Sequence, residues 1–158
     1  MKQAIAIFSI LVMTTLGWHG VSVAEYSKQK VVYHINYDNP KRQAGALRNI
    51  QNHINAVGKE NLDLRVVMHG NGLSLMLLPE AIGEVKVFKN GNANDQMQAK
   101  IDGLKDQGVS FKICANTVKG RGVDVEEHLH NVDPEDIVPS GVAEAAHLQL
   151  QGFAYLKP

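Results

Sequence analysis

The sequence predicts an α/β domain of three layers, α/β/α, built on a doubly wound, mainly parallel sheet of about five strands. Two observations support this prediction. Apolar runs of strand length, such as Val66-Val67-Met68, are continuous, which is typical of strands buried on both faces. Amphipathic helical segments alternate with these runs along the chain, as in sheets covered by helices on both sides. No internal repeat, low-complexity tract or linker interrupts the pattern, so we expect one domain.

The first 24 residues have the pattern of a secretory signal. Lys2 precedes the uncharged apolar run 4–16, and Ser22-Val23-Ala24 places small residues where a signal peptidase cleaves. The run is shorter than the roughly 20 apolar residues of a membrane span. We therefore expect a signal peptide over 1–24, a single domain over 25–158, and a periplasmic or secreted protein that has no membrane association after cleavage. An uncleaved anchor is the alternative.

The first βα unit begins with residues 30–36, whose β-branched and aromatic side chains predict a strand. Asp38-Asn39-Pro40 then predicts a helix start, with a capping side chain and proline in the first turn. Apolar residues at spacings of three and four place one stripe on this helix, and Gly58 ends it. The stripe consists of Leu47, Ile50, Ile54 and Val57.

A second strand is predicted over 62–69, followed by a tight turn at Gly70-Asn71-Gly72. The apolar segment 73–78 predicts a short buried helix or an irregular buried segment. Val85, Val87 and Phe88 favour a short edge strand.

The second half repeats the alternation. It predicts a helix over 95–107, a buried strand over 109–114, a helical turn over 125–129 and a connection bounded by Asp133-Pro134 and Val138-Pro139. Ser140 then caps a helix over 141–151, and 153–156 forms the last short strand.

Three polar residues end successive strands of this predicted sheet: Asn36, His69 and Cys114. In doubly wound sheets of the flavodoxin-like type, ligands bind beyond the carboxyl ends of the strands. The shared position of these residues predicts a site at that edge.

Cys114 is the single cysteine of the chain, so no internal disulfide is available to an exported protein of this kind. A polar turn with Lys119, Gly120, Arg121 and Gly122 follows it. Nearby cations, and free backbone N–H groups if a helical turn opens at Asn116-Thr117, would lower its pKa and favour the reactive thiolate. A buried, inert cysteine packed as a small hydrophobic residue is an equal alternative, and an intermolecular disulfide remains open.

Other chemistries lack support. Lys2 is the only charged residue in 1–24, so 25–158 hold 15 of the 16 basic residues and all 16 acidic ones, a net charge of −1. This balance does not favour nucleic acid as a partner.

Metal, dinucleotide and serine-hydrolase motifs are also missing. The spacing of His128 and His130 does not match a metal site, and we expect them in a surface loop. Gly70-Asn71-Gly72 lacks the dinucleotide fingerprint, and Gly-x-Ser-x-Gly is missing. We expect no cofactor and no metal.

Two segments resemble a known family. The run from Val109 through Cys114 to Arg121-Gly122 resembles the sulfur-relay loop of DsrE/DsrF-like proteins, which include TusD-type carriers. The ending 138–158, VPSGVAE followed by LQLQGFAYLKP, is similar to the tail of small single-domain members of that superfamily. The resemblance spans roughly residues 25–158.

The resemblance implies a three-layer α/β/α fold and a homo-oligomer, often a trimer or hexamer. It also implies that Cys114 carries sulfur as a persulfide, taken from a donor protein and passed to an acceptor protein. At most, this would make the protein a sulfur carrier or a sulfurtransferase-like enzyme. Such relays are typically cytoplasmic, whereas this sequence predicts export.

Two functional hypotheses follow. In the first, Cys114 is a nucleophile for sulfane sulfur, Arg121 and Lys119 stabilise its anion together with Gly122 and local N–H groups, and Asn116 and His69 form the walls. In the second, the protein is a non-catalytic oligomeric domain that binds a small ligand or a partner, and the cysteine is buried and inert.

Overall fold

The computed structural model describes residues 26–158 as one five-stranded, fully parallel sheet covered by helices on both faces. The predicted three-layer α/β fold is therefore confirmed. The predicted signal peptide lies outside the described residues. Within residues 26–158, no helix combines the length and apolarity needed to cross a bilayer.

The strands are β1 (Gln29–Ile35), β2 (Leu62–Met68), β3 (Ser110–Cys114), β4 (Ile137–Val138) and β5 (Ala154–Leu156), in the spatial order β4-β3-β2-β1-β5. The chain moves outward from β1 to β4 and then returns to add β5 on the other side of β1. All five carboxyl ends consequently lie at the same edge of the sheet.

The helices are α1 (Pro40–Val57), α2 (Asp95–Lys105), α3 (Ala115–Arg121), α4 (Val125–His128) and α5 (Gly141–Leu150). Side chains predicted as caps fulfil that role, because Asn39 accepts from the N–H of Arg42 and Ser140 accepts from the N–H of Ala143. These caps fix where α1 and α5 begin.

Alternation along the strands divides the core between the two faces of the sheet. The larger cluster includes Val31, Tyr33 and Ile35 of β1 and packs against α1 and α2. The smaller cluster lies under α5 and consists of Val32, Val67, Ala145, Leu148 and Phe153. The amino terminus of α5 therefore lies beside the carboxyl edge of the sheet, on the face that carries the smaller cluster.

Gly70–Leu75 forms a 3-10 helix after β2, and the leucines and Met76 of this buried segment are fully enclosed. Gly72 is required there by close packing, because a Cβ atom at this position would lie 1.9 Å from the carbonyl oxygen of Ile35. The expected tight turn and buried segment are thus one continuous structure.

Three local predictions were wrong. Residues 85–88 form no edge strand, because Val87 has a φ of 75°, outside the extended region, and its side chain is 74% exposed. Residues 137–138, predicted as part of a connection, form β4 beside β3. The polar turn predicted after Cys114 is the helix α3, which contains Gly120 and ends at Gly122, where φ is 64°.

Candidate functional site

Cys114 lies at the junction of three elements. It is the last residue of β3 and the cap residue of α3, and its Cβ atom lies close to the first residue of α5, Gly141. A Cβ atom built on Gly141 would lie 3.3 Å from the Cβ of Cys114, 2.9 Å from that of His69 and 3.2 Å from the carbonyl oxygen of Met68. The absence of a side chain at Gly141 therefore allows the backbone of α5 to approach the cysteine.

The surroundings of Cys114 favour its thiolate. Burial alone would raise the pKa of this thiol, because the residue is only 5% exposed. The N–H of Gly141, followed by the hydroxyl and N–H of Thr117 and the N–H of Asn116, counteracts this effect and places the pKa of Cys114 below its ordinary value. These groups belong to the starts of α3 and α5, where backbone N–H groups have no intrahelical partner.

The Thr117 hydroxyl is oriented by a second contact. Its oxygen accepts a hydrogen bond from the N–H of Gly70 at 2.9 Å, so its own hydrogen is free to be donated to the sulfur. Gly70 follows His69 at the end of β2, which links the turn after β2 to the sulfur site. The 3-10 helix after β2 thereby helps to orient a donor on α3.

The cysteine forms the floor of an open cleft of about 480 Å³. Val87 and Val142 contribute exposed apolar side chains to it. The polar and charged residues that line it come from the ends of β2 and β3, from α3 and from the cap of α5: His69, Asn116, Thr117, Arg121 and Ser140. Among the lining residues none is acidic, so the cleft suits a neutral or anionic sulfur compound.

Arg121 is held in place at the side of this cleft. Its guanidinium donates to the side-chain oxygen of Asn71 at 2.8 Å and lies 4.2 Å from the ring centre of Phe88. Its backbone oxygen accepts from the N–H of Lys86 at 2.9 Å. The Nη1 atom is buried and has no hydrogen-bond partner within residues 26–158, so the guanidinium is only partly paired.

The candidate residues predicted from the sequence are only partly brought together. Cys114, Asn116, Arg121 and His69 line one cleft. Lys119 and Gly122 are exposed on α3 and at its end and do not line it. The roles assigned to all six residues stay predictions, but backbone N–H groups and the Thr117 hydroxyl, rather than Lys119, are the groups that lower the pKa of Cys114.

His69 is the histidine that the sequence placed at this edge. Burial and, to a smaller extent, the charge of Lys157 lower its pKa below the ordinary value, so the ring is neutral at pH 7. A neutral imidazole beside a thiol can accept a proton or donate its N–H.

Sequence reasoning included the N–H groups of a helical turn at Asn116-Thr117 but missed Gly141 and the hydroxyl of Thr117. The cap at Ser140 could have predicted the position of Gly141, because in a parallel sheet a helix that follows a strand begins at the carboxyl edge. That rule places Gly141 at the same edge as Cys114.

The two histidines near residue 130 are more enclosed than the predicted surface loop. His128 is 9% exposed and contacts Glu84 at 3.3 Å, whereas His130 contacts Asp102 at 2.8 Å. Each ring pairs with a different carboxylate. Within the described part of the chain, no three histidine, cysteine or acidic side chains are grouped to hold a metal ion.

Comparison with known proteins agrees with this architecture. The chain is similar to the structure of a protein of unknown function, MTH1491, from Methanobacterium thermoautotrophicum, with 26% identity over 83% of this chain and 100% of that chain and a TM-score of 0.65. It shares the fold of the ychN protein from E. coli, with 20% identity over 84% of this chain and 100% of that one and a TM-score of 0.56. Comparison with curated proteins gave no match.

The family comparison covers nearly the whole described domain. The model of the DsrE/DsrF-like family matches residues 29–158, from the first residue of β1 to the end of the chain. This span includes every strand, the cysteine cleft and the tail whose sequence resembles that of small family members. The chain therefore belongs to the DsrE/DsrF-like family.

Proposed function

We propose that the protein accepts and carries sulfane sulfur as a persulfide on Cys114. The observation that carries the proposal is the position of Cys114 in an open cleft at the starts of α3 and α5, where groups of Gly141, Thr117 and Asn116 lower the pKa of its thiol. A thiolate is the nucleophilic form of cysteine. The cleft therefore presents a reactive sulfur to a donor molecule.

The transfer needs no cofactor. The thiolate of Cys114 attacks the sulfane sulfur of a donor, a new S–S bond forms at Cys114, and the donor's own S–S bond breaks. The electron pair of the broken bond leaves with the donor's remaining sulfur as a thiolate. The product, a persulfide, is again an anion, which the same hydrogen-bond donors and the positive charge of Arg121 beside the cleft stabilise.

The experiment is mass spectrometry of the intact protein after incubation with inorganic polysulfide. We expect a mass increase of one sulfur atom on the wild type, reversed by dithiothreitol, and none on Cys114→Ser or Cys114→Ala. An unmodified wild-type protein whose cysteine alkylates readily in the native state would refute the proposal, because access to the sulfur would then have been shown.

One observation favours a second candidate, a non-catalytic oligomeric domain that binds a small ligand or a partner. Cys114 is only 5% exposed, and such a thiol can be inert. In that case labelling by iodoacetamide would be slow in the native protein and fast only in denaturant. Fast native labelling would exclude this candidate.

Export and assembly belong to the same proposal. Residues 1–24 have the composition of a cleaved signal, and they support a periplasmic or secreted location. The family resemblance supports a homo-oligomer, a trimer or a hexamer, that exchanges sulfur with a donor and an acceptor protein. Amino-terminal sequencing of the protein from cell fractions tests the location, and light scattering coupled to gel filtration tests the assembly.

A further inference from the structure

Three protonatable side chains lead from the outer strand of the sheet to the cysteine cleft. Tyr155 on β5 forms a hydrogen bond through its hydroxyl with Nδ1 of His34 on β1. The ring of His34 lies against the ring of His69, with 4.8 Å between ring centres and 31° between ring planes. His69 lines the cleft of Cys114. The Tyr155–His34–His69 row is continuous from β5 to the site.

His34 is the enclosed member of this row. Its side chain lies on the α5 face of β1, the residue as a whole is 8% exposed, and its Nε2 atom is buried with no hydrogen-bond partner within residues 26–158. An unpartnered buried polar atom costs about 1–3 kcal/mol. A strand interior would ordinarily hold an apolar residue at such a position, so stability alone does not account for the histidine.

His69 is the member next to the reacting sulfur. A Cβ atom built on Gly141 would lie 2.9 Å from the Cβ of His69 and 3.3 Å from the Cβ of Cys114, so these two side chains begin close to each other. Among the described residues, no side chain forms a hydrogen bond with either ring nitrogen of His69, whereas the ring of His34 is hydrogen-bonded to Tyr155. The packing of His34 therefore orients a ring that is otherwise free to exchange protons in the cleft.

We propose that His69 transfers the proton released by Cys114 to the leaving group of the sulfur donor, and that His34 and Tyr155 are positioning residues that hold the His69 ring. This inference rests on the proposed function and assigns the proton path of the same reaction. It also identifies the donor class that needs such a path, namely persulfides whose leaving group is a basic alkyl thiolate.

The step balances as follows. Cys114 loses its proton to the neutral ring of His69, and the thiolate attacks the outer sulfur of an alkyl persulfide. The new S–S bond forms at Cys114 while the donor's S–S bond breaks, and the alkyl thiolate leaves with the electron pair. The imidazolium of His69 gives its proton to that thiolate. The products are the Cys114 persulfide, a free alkyl thiol and neutral His69, with no external oxidant or reductant.

The lowered histidine pKa values favour the second of these proton transfers, from His69 to the leaving group. Burial, His69 and Lys157 lower the pKa of His34 to about 4, and burial and Lys157 lower the pKa of His69. An imidazolium with a lowered pKa is a stronger acid, and an alkyl thiolate, with a pKa of about 8.5 for its thiol, accepts its proton readily. The lowered pKa of His69 also makes the neutral ring a weaker base for the first transfer, and the lowered pKa of Cys114 offsets that cost.

The test compares two sulfur donors and one alkylating agent at the same pH. Glutathione persulfide releases a basic thiolate, an alkanethiosulfonate releases a weakly basic sulfinate, and iodoacetamide releases iodide. Dividing each rate of persulfide formation by the iodoacetamide rate of the same variant removes differences in thiolate fraction and access. The variants are His69→Gln, with His69→Asn as a second substitution if the first unfolds, and Tyr155→Phe.

We expect His69→Gln to lower the normalised rate with glutathione persulfide by about 10²-fold, the lower end of the effect of general acid catalysis, and to leave the thiosulfonate rate unchanged. Tyr155→Phe should lower the same rate by a smaller factor. The matched controls are His53→Gln and Tyr33→Phe, because Tyr33 on β1 and His53 form a similar pair, 3.2 Å apart, on the opposite face of the sheet. These controls should leave all ratios unchanged.

The experiment distinguishes failure of the role proposed for His69 from failure of the proposed function. Equal normalised rates for wild type and His69→Gln with both donors would overturn the role of His69 while the persulfide on wild type still supports the proposed function. An equal loss with both donors would also overturn it, because a proton for the leaving group would then not be the cause. Absence of any persulfide on the wild type would refute the proposed function itself.

Discussion

Replacing Gly141 with alanine should raise the pKa of Cys114. The added methyl carbon would lie 2.9 Å from the Cβ of His69, 3.2 Å from the carbonyl oxygen of Met68 and 3.3 Å from the Cβ of Cys114. Carbon atoms pack at about 3.5–4.0 Å, so the start of α5 must move outward by roughly 0.5 Å or more. Two of the three obstacles are Cβ atoms next to the backbone and one is a backbone oxygen, and none can rotate away.

The outward movement of α5 weakens the interaction of the Gly141 N–H with the thiolate of Cys114. The N–H of Gly141 is the first of the donors that lower the pKa of Cys114 against the opposing effect of burial. A hydrogen bond to a charged group contributes about 1.5–3 kcal/mol, and one pKa unit corresponds to about 1.4 kcal/mol. Loss of this donor should therefore raise the pKa of Cys114 by about one to two units.

The assay is the rate of iodoacetamide alkylation as a function of pH, followed by mass spectrometry. The rate follows the thiolate fraction, so its midpoint gives the pKa of the cysteine in the folded protein. We expect a wild-type midpoint below the free-cysteine value of about 8.5 and a higher midpoint in Gly141→Ala. Circular dichroism at each pH verifies that the variant remains folded.

Gly103→Ala is the matched control. Gly103 lies within α2, and a Cβ atom at this position meets no other atom within 4 Å, so the substitution should leave the midpoint unchanged and favour the helix by up to about 1 kcal/mol. An unchanged midpoint in folded Gly141→Ala would refute the reasoning that the approach of α5 activates the sulfur.

Three further predictions follow from the same structure. Thr117→Val removes a hydroxyl donor to the sulfur and should raise the cysteine pKa, whereas Thr117→Ser should keep it near the wild-type value; the same alkylation profile measures both. Gly72→Ala should lower the free energy of unfolding in urea by about 3 kcal/mol or more, because the new Cβ would lie 1.9 Å from a backbone oxygen of Ile35; an unchanged urea midpoint would contradict this packing. His34 has a pKa of about 4 in the folded protein against an ordinary value of 6.5. The unfolded chain therefore binds the proton first as the pH falls from 6.5 to 4, and stability is lost over that range, by at most about 3 kcal/mol; His34→Gln should flatten the pH dependence of the urea midpoint there.

The regular elements could be predicted from the sequence because each is defined by local chemistry. The continuous apolar run of β2 indicated a strand buried on both faces, β-branched and aromatic residues indicated β1, and alternating apolar residues indicated β3. The caps at Asn39 and Ser140 located two helix starts. These signals lie within a few residues of the structure they specify. The carboxyl edge shared by His69 and Cys114 followed from the parallel arrangement.

The errors lie where nonlocal contacts decide the conformation. β4 has two residues, too few for any periodic pattern, and it exists because Ile137 and Val138 pair with the end of β3. Val87 has the composition of a strand residue but a φ of 75°, because its neighbours are tied to Arg121: the N–H of Lys86 donates to the Arg121 backbone oxygen, and the Phe88 ring lies under the guanidinium. No local preference indicates such a conformation.

The activation of Cys114 shows the same division between local and nonlocal information. The sequence suggested Lys119, Arg121 and the N–H groups of a local helical turn as causes of a lowered pKa because they are close in the chain, but Lys119 does not line the cleft. The groups that lower the pKa are those N–H groups of α3, together with the Thr117 hydroxyl and the first N–H of α5, which is distant in the sequence. Because β4 pairs with β3 in register Cys114↔Val138, α5 begins only a few residues beyond the cysteine's own partner. The two-residue strand that the sequence does not reveal is thus the element that brings Gly141 to the sulfur, and shortening or shifting β4 should affect the cysteine's pKa more than removing the charge of Lys119.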